Sequence, residues 1–247
     1  MALKTILNYS PNFNSKKRII KKIKFIIFHY TGMKTELKAI NRLTNIKSEV
    51  SSHFLIKKNG EIIKLVPDLY IAWHAGKSSW KNYKSLNKNS IGIEITNPGH
   101  EFGYKKFSKK QISSLLKLSK FLIKKYKISL KNILGHSDIA PYRKKDPGEK
   151  FPWKYLSKNK IGLWHSLKKK ELIKNRNFKI SKIERKLFYN NLFKIGYPKK
   201  IPKNINKDRY LKSLSKAFQR RFRPEQIDGK TDRECLLISI NLLKKYN

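Results

Sequence analysis

Short apolar runs alternate with longer amphipathic segments along this chain of 247 residues, a pattern that predicts strands separated by helices. Three segments predict strands, at residues 24–30, 90–96 and 131–135, and the first is continuously apolar, as buried strands are. Residues 53–58 and 61–66 flank Asn59-Gly60, which is typical of a hairpin turn because both residues tolerate positive φ. The pattern predicts an α/β core with a mixed sheet.

The clearest helix covers Ser108 to Tyr126. Ser108 and Gln111 have the spacing of a capping box, in which each side chain satisfies a free backbone N–H of the other residue. One face of this helix is apolar and carries Ile112, Leu115, Leu116, Leu122, Ile123 and Tyr126.

The pattern changes in the last third of the chain. The segment Leu156–Arg185 is rich in lysine and predicts a connector that is partly helical. From Ile183 onward, three short amphipathic patterns predict a small all-α three-helix bundle, whose last helix is capped by Thr231-Asp232. We therefore expect two domains, residues 1–170 and residues 180–247.

The chain is strongly basic, with 59 Lys and Arg against 16 Asp and Glu and a net charge of +43. Such an excess often indicates an anionic partner. Here lysine, isoleucine and asparagine are abundant together and the basic residues are scattered, which favours genome composition as the main origin. No helix-turn-helix, zinc-finger or RNA-recognition signature is present, so we expect no specific nucleic-acid partner.

Cysteine usage and the N-terminus bear on the compartment. Cys235 is the single cysteine, so no intrachain disulfide forms, and its apolar setting predicts a core position. The first strongly apolar segment, Phe25–Phe28, is too short for a signal peptide or a membrane span. We expect a monomer without a transmembrane segment, located in the cytoplasm, with the periplasm or cell wall as the alternative.

Two histidines and an aspartate are the first candidates for chemistry. His29 and His136 each stand at the end of a predicted strand, and Asp146 lies in a loop that contains proline and glycine. Catalytic zinc usually takes three protein ligands and leaves a fourth position open. Taken alone this signal is weak, because a histidine at a strand end is more often structural.

Glu94 is an unusual residue because it stands between Ile93 and Ile95 in a predicted strand. It either points to the solvated face of an alternating strand or faces a site. In the second case burial would raise the pKa of its carboxyl and suit it to proton transfer.

Five blocks, in this order, resemble the type 2 N-acetylmuramoyl-L-alanine amidases, a family that includes peptidoglycan-recognition proteins. The blocks are Ile27–Thr31, Ser51–Ile56, Ala72–Gly76, Ser90–Ile95 and Gly135–Pro141. The resemblance covers roughly residues 20–155 and implies a mixed sheet flanked by helices, with one zinc ion per chain in an open groove.

The resemblance also implies roles for single residues. It implies that His29, His136 and Asp146 bind the zinc ion, that Glu94 is the catalytic acid and that Lys144 is the active-site lysine. It implies an enzyme that hydrolyses the amide bond between N-acetylmuramic acid and L-alanine in peptidoglycan or muropeptides. The alternative is a recognition protein that binds peptidoglycan without cutting it.

Several neighbouring residues are further candidates for the site. Lys145 is a rival to Lys144, and Arg143 lies beside both. We expect Arg143, Trp73 and His74 to bind substrate, although Trp73 would serve equally well in the core. We expect His100 on the surface.

The tail carries a second resemblance. Residues Ala217–Phe222, followed by Ile227–Asp232, are similar to a peptidoglycan-binding three-helix module. The glycine of its Asp-Gly turn suits positive φ, and the Thr or Asp caps the next helix. The alternative is a helical bundle without a ligand. Whether the substrate is intact wall or a soluble fragment stays open.

Overall fold

A six-stranded mixed sheet lies at the centre of the protein, which a computed structural model describes from residue 4 to residue 246. The strands are β1 (Ile6–Leu7), β2 (Phe13–Asn14), β3 (Phe25–Tyr30), β4 (Phe54–Ile56), β5 (Ile62–Lys64), β6 (Ile71–Ala72), β7 (Ser79–Trp80), β8 (Tyr83–Lys84), β9 (Ser90–Ile95) and β10 (Ile133–Gly135). The helices are α1 (Glu36–Thr44), α2 (Lys109–Tyr126), α3 (His136–Ile139), α4 (Trp153–Lys158), α5 (Lys169–Asn175), α6 (Lys182–Ile195), α7 (Lys207–Phe222) and α8 (Arg233–Tyr246).

The strand order of the sheet is β1-β5-β4-β9-β3-β10. Strands β4, β9, β3 and β10 run parallel, whereas β5 pairs antiparallel with β4, so the predicted mixed sheet is confirmed. Because parallel strands end at the same edge of a sheet, the residues that end β3, β9 and β10 lie close together there.

The predicted elements agree with the structure except at their ends. Ser108 caps α2 through the expected capping box with Gln111. The predicted strand at 131–135 is shorter and begins only at Ile133. The reason is that a single 3-10 turn, capped by the side chain of Ser129, occupies Leu130–Asn132.

The predicted hairpin joins β4 to β5, but its turn uses positive φ at one residue only. Gly60 has a φ of +90°, and a Cβ there would lie 2.9 Å from the carbonyl oxygen of Lys110. Asn59 acts through its side chain instead, because its Oδ1 accepts a hydrogen bond from the backbone N–H of Glu61 at 3.0 Å.

The two faces of the sheet have different neighbours, as the alternation along β3 shows. Ile26 and Phe28 belong to the apolar cluster that includes the leucines of α2. Phe25 and Ile27 belong to a second cluster, which includes Phe188 of α6 and other residues of the C-terminal helices. The C-terminal helices therefore share a core with the face of β3 that also carries His29.

The three predicted C-terminal helices are present as α6, α7 and α8, and the connector before them is partly helical, as predicted. The apolar core runs continuously from the sheet into these helices. The division into residues 1–170 and 180–247 stays a prediction. Within residues 4–246, every helix is too short or too polar to cross a bilayer.

Candidate metal centre and catalytic groups

The ends of β3 and β10 bring His29 and His136 together. Phe28 and Gly135 are register partners, so the next residue in each strand direction is a histidine. The loop that follows α3 brings Asp146 beside the two histidines. The Ser137 N–H donates a hydrogen bond to the carbonyl oxygen of Asp146 at 2.9 Å and holds it there. Gly135 allows the loop to approach β10 closely, since a Cβ at this position would lie 2.6 Å from the Pro147 ring.

Three ligand-type atoms form a nearly equilateral triangle at this edge. His29 Nδ1, His136 Nδ1 and Asp146 Oδ2 lie 3.0 Å from one another, and all three residues are buried. The positions of the imidazole protons decide whether these atoms offer hydrogen bonds to one another or lone pairs to a cation.

The proton of His136 is assigned by the carbonyl of Ala75. His136 Nε2 lies 3.1 Å from that oxygen, which only accepts hydrogen bonds, so Nε2 carries the proton and Nδ1 keeps its lone pair. Arg143 Nη2 donates to the same carbonyl at 2.9 Å and also to Lys77 O at 3.1 Å. Its 3.4 Å approach to His136 Nε2 follows from this shared acceptor.

The proton of His29 is assigned by a chain of hydrogen bonds. The Ser90 hydroxyl donates to Leu86 O at 2.6 Å, so its oxygen accepts from His74 Nε2 at 3.1 Å. His74 Nδ1 then accepts from His29 Nε2 at 3.0 Å, which leaves the lone pair of His29 on Nδ1. Gly92 makes room for this chain, because a Cβ there would lie 2.5 Å from the His74 ring.

Two imidazole lone pairs and a carboxylate therefore converge on one point. Burial and the neighbouring His136 lower the pKa of His29 to about 4, although Asp146 acts in the opposite direction. His29 is consequently neutral at pH 7. Converging lone pairs repel one another unless a cation lies between them, so this arrangement can hold a metal ion.

Glu94 faces the same site. It is the register partner of His29 in β9, and it leaves the strand on the face opposite to Ile93 and Ile95, which pack into the core with α2. Its Oε2 is buried without a hydrogen-bond partner. Burial raises the pKa of Glu94 to about 8; Asp146 adds to the rise and Lys144 opposes it. The alternative of a solvated face is therefore wrong.

A cavity of about 690 Å³ opens over the triangle. All of the site residues expected from the sequence line it: His29, His136, Asp146, Glu94, Lys144, Trp73, His74, Arg143 and the rival Lys145. Lys144 is half-buried, whereas Lys145 is exposed. Trp73 is also half-buried, and its Nε1 donates to Asn14 Oδ1 at 2.9 Å.

Other groups in the cavity lie outside the sequence-based expectations. His100 is half-buried rather than on the surface, and it bridges the Tyr30 hydroxyl at 2.8 Å and Glu149 Oε2 at 3.0 Å. The exposed cations Lys38 and Arg42 lie on one face of α1 and line the mouth. No motif marks these residues; the amphipathic spacing of α1 is the signal that could have indicated them.

Comparisons with known protein families and sequences all find similarity to amidases of one family. The profile of the family described as "N-acetylmuramoyl-L-alanine amidase" matches residues 20–149. N-acetylmuramoyl-L-alanine amidase AmiD of Escherichia coli strain K12 is 34% identical over 237 residues, which is 91% of this chain and 84% of AmiD. The 1,6-anhydro-N-acetylmuramyl-L-alanine amidase AmpD of Haemophilus influenzae is 41% identical over 110 residues, 44% of this chain and 58% of AmpD.

Two solved structures are similar over nearly the whole chain. One is AmiD from E. coli in complex with the substrate anhydro-N-acetylmuramic acid-L-Ala-D-gamma-Glu-L-Lys, with a TM-score of 0.79, 32% identity and coverage of 91% of this chain and 90% of that one. The other is AmpDh3 from Pseudomonas aeruginosa in complex with anhydromuramic pentapeptide, with a TM-score of 0.78, 31% identity and 94% coverage of each chain.

Proposed function

The chain belongs to the N-acetylmuramoyl-L-alanine amidase family, and we propose that it hydrolyses the amide bond between the lactyl group of N-acetylmuramic acid and L-alanine, with zinc as its metal. The observation that carries the proposal is the convergence of two imidazole lone pairs and a carboxylate beneath an open cavity. The cytoplasmic location and the monomeric state stay predictions from the sequence.

We propose His29, His136 and Asp146 as the zinc ligands. Zinc binds nitrogen and oxygen at about 2.0–2.1 Å, so tetrahedral ligand atoms lie about 3.3 Å apart, close to the 3.0 Å of the triangle. Three protein ligands under an open cavity fit a catalytic site better than a closed structural one. When bound, zinc supplies Lewis acidity, which acidifies water and polarises a carbonyl oxygen.

Glu94 serves as general base and then as general acid in this proposal. Its unpaired Oε2 takes the proton of the attacking water, and the same carboxyl passes a proton to the nitrogen of the leaving L-alanine. Burial raises the pKa of Glu94 to about 8 in the metal-free site, and a bound cation would lower this pKa toward neutrality, where the carboxyl can both take and give a proton.

Lys144 stabilises the negative charge that develops on the carbonyl oxygen of the substrate. It is half-buried in the cavity, and its charge is close enough to lower the pKa of Glu94 against the effect of burial. A cation in a partly desolvated site stabilises a developing oxyanion more than one in bulk water. Exposed Lys145 lacks this advantage.

We propose soluble muropeptides as the substrate class. The two similar structures carry anhydromuramic peptides, one of which includes a D-gamma-Glu residue with a free carboxylate. The cavity mouth suits such anionic stems because Lys38 and Arg42 line it, together with Arg143. Trp73 offers a half-buried aromatic face for sugar or peptide.

The test compares purified muropeptides with intact sacculi, with and without a chelator. We expect release of peptides that begin with a free L-alanine amine from muropeptides, and loss of this activity when zinc is removed. Glu94→Gln is expected to keep zinc and lose about 10²–10⁴-fold in kcat. A wild-type chain that binds muropeptide with zinc present but never cuts it would instead be a recognition protein.

A further inference from the structure

The C-terminal helices contact the segment that carries His136. Arg221 of α7 donates from Nη1 to Asp138 Oδ2 at 2.5 Å, and the hydroxyl of Tyr197, between α6 and α7, donates to Asp138 Oδ1 at 2.8 Å. Asp138 is the second residue after His136. Both oxygens of one carboxylate are therefore held by residues far along the chain.

Asp138 also fixes the turn that leads from β10 into α3. Its Oδ2 accepts a hydrogen bond from the Gly135 N–H at 2.8 Å, which joins the residue before His136 to the residue two after it. The carboxylate is 1% exposed. A carboxylate with so little access to water needs hydrogen-bond partners in place of the lost hydration, so the geometry of the turn depends on Arg221 and Tyr197.

Arg221 holds a second point of the same segment. Its Nη2 donates to the carbonyl oxygen of Ile133 at 3.1 Å, and its guanidinium carbon lies 4.2 Å from the centre of the Trp153 ring. One guanidinium thus contacts both the first residue of β10 and the carboxylate beyond its end. His136 lies between these two contacted residues in the sequence.

We infer that Arg221 and Tyr197 are positioning residues for the proposed metal ligand His136, and that the C-terminal helices form part of the scaffold of the metal site. This inference rests on the proposed function. Metal affinity depends on the placement of each ligand atom to within a few tenths of an ångström, and groups that orient ligands change affinity when they are removed.

Arg223 provides a matched control on the same helix. It is equally buried, and the acids that its guanidinium contacts among the described residues all belong to the C-terminal segment, among them Asp232 at 2.5 Å and Glu234 at 3.4 Å. Loss of Arg223 therefore weakens the C-terminal helices without releasing any contact to Asp138. A purely structural role of Arg221 would give the same result as Arg223.

The experiment measures the zinc dissociation constant of the full chain by competition with a chromophoric chelator, beside urea unfolding. We expect Arg221→Met to weaken zinc binding by about 10–100-fold, as loss of a ligand-orienting group does. Arg221→Lys should restore part of the affinity, since it keeps the charge without the forked geometry. Tyr197→Phe should give a smaller loss, and Arg223→Met should lower the urea midpoint at unchanged zinc affinity.

The outcomes separate the two proposals. Zinc affinity within about twofold of wild type in both Arg221→Met and Tyr197→Phe overturns the inference. If Arg221→Met does not fold, Tyr197→Phe decides, because the ring of Tyr197 keeps its edge contact with Trp80 when the hydroxyl is removed. Failure of the wild-type chain to bind zinc, or binding that His136→Ala leaves unchanged, overturns the proposed metal site itself.

Discussion

His29 and Glu94 are register partners in the neighbouring parallel strands β3 and β9, and their side chains leave the sheet on the same face. One offers a lone pair to the proposed metal, and the other holds a buried oxygen without a hydrogen-bond partner. The sheet thus places a proposed metal ligand and a proposed proton carrier side by side, an arrangement that costs stability and suits catalysis.

The loss of folding stability caused by the buried Glu94 carboxyl is measurable in the metal-free protein. Because the folded-state pKa of about 8 exceeds the ordinary 4.5, folding binds a proton, and stability falls as pH rises from 4.5 through 8. We expect metal-free Glu94→Gln to match wild type at pH 4 and to exceed it by roughly 4–5 kcal/mol at pH 8.5. Urea unfolding at both pH values checks this, and a gap that does not change with pH contradicts it.

The variants Lys144→Ala and Lys145→Ala test which of the two neighbouring lysines stabilises the oxyanion, and each serves as the control for the other. We expect Lys144→Ala to lower kcat by about 10²–10³-fold, the range for loss of one oxyanion-stabilising group, with zinc affinity unchanged. Lys145→Ala should change kcat by less than about threefold, because its charge is exposed. Steady-state kinetics on a muropeptide decide, and a larger effect of Lys145→Ala would transfer the role to it.

His74 has two interpretations that kinetics and metal binding distinguish. Its ring accepts from His29 and donates to Ser90, so we expect His74→Phe to weaken zinc binding by about 10–100-fold. Ser90→Ala should act in the same direction with a smaller effect. A substrate-binding role, as expected from the sequence, predicts instead a raised KM at unchanged zinc affinity.

Asp68, which lies away from the site, is expected to make the folding stability depend on pH at low pH. Burial alone would raise its pKa, but hydrogen bonds from Lys125 at 2.8 Å and Tyr126 at 2.6 Å, with the charge of Lys64, lower it to about 2. This stabilisation is present above pH 4 and is lost as pH falls through 2.

We therefore expect Asp68→Asn to cost about 2 kcal/mol at pH 7 and almost nothing near pH 2. Unfolding midpoints at the two pH values provide the measurement. Turnover at saturating zinc and substrate should not change, because Asp68 lies outside the cavity. An equal loss of stability at both pH values would mean that packing, rather than charge, is responsible.

Much of the site could be predicted because its residues stand where strands end or within contiguous blocks. His29 and His136 follow apolar runs, and parallel strands bring such positions together. The role of His74 was harder to predict: its neighbours His29 and Ser90 lie 45 and 16 residues away, and proton direction depends on all three. His100 carried no signal, because its partners come from separate loops.

The sequence by itself determined the fold class and the family resemblance and indicated the candidate site residues, because periodicity and motif spacing are local properties. It left open which way Glu94 points, since an alternating strand offers two faces and only the packing of α2 on one of them decides. It also left unseen the link from Arg221 to Asp138, which are 83 residues apart. Only the tertiary structure decides such a contact, because a buried ion pair forms where two distant segments happen to exclude water together.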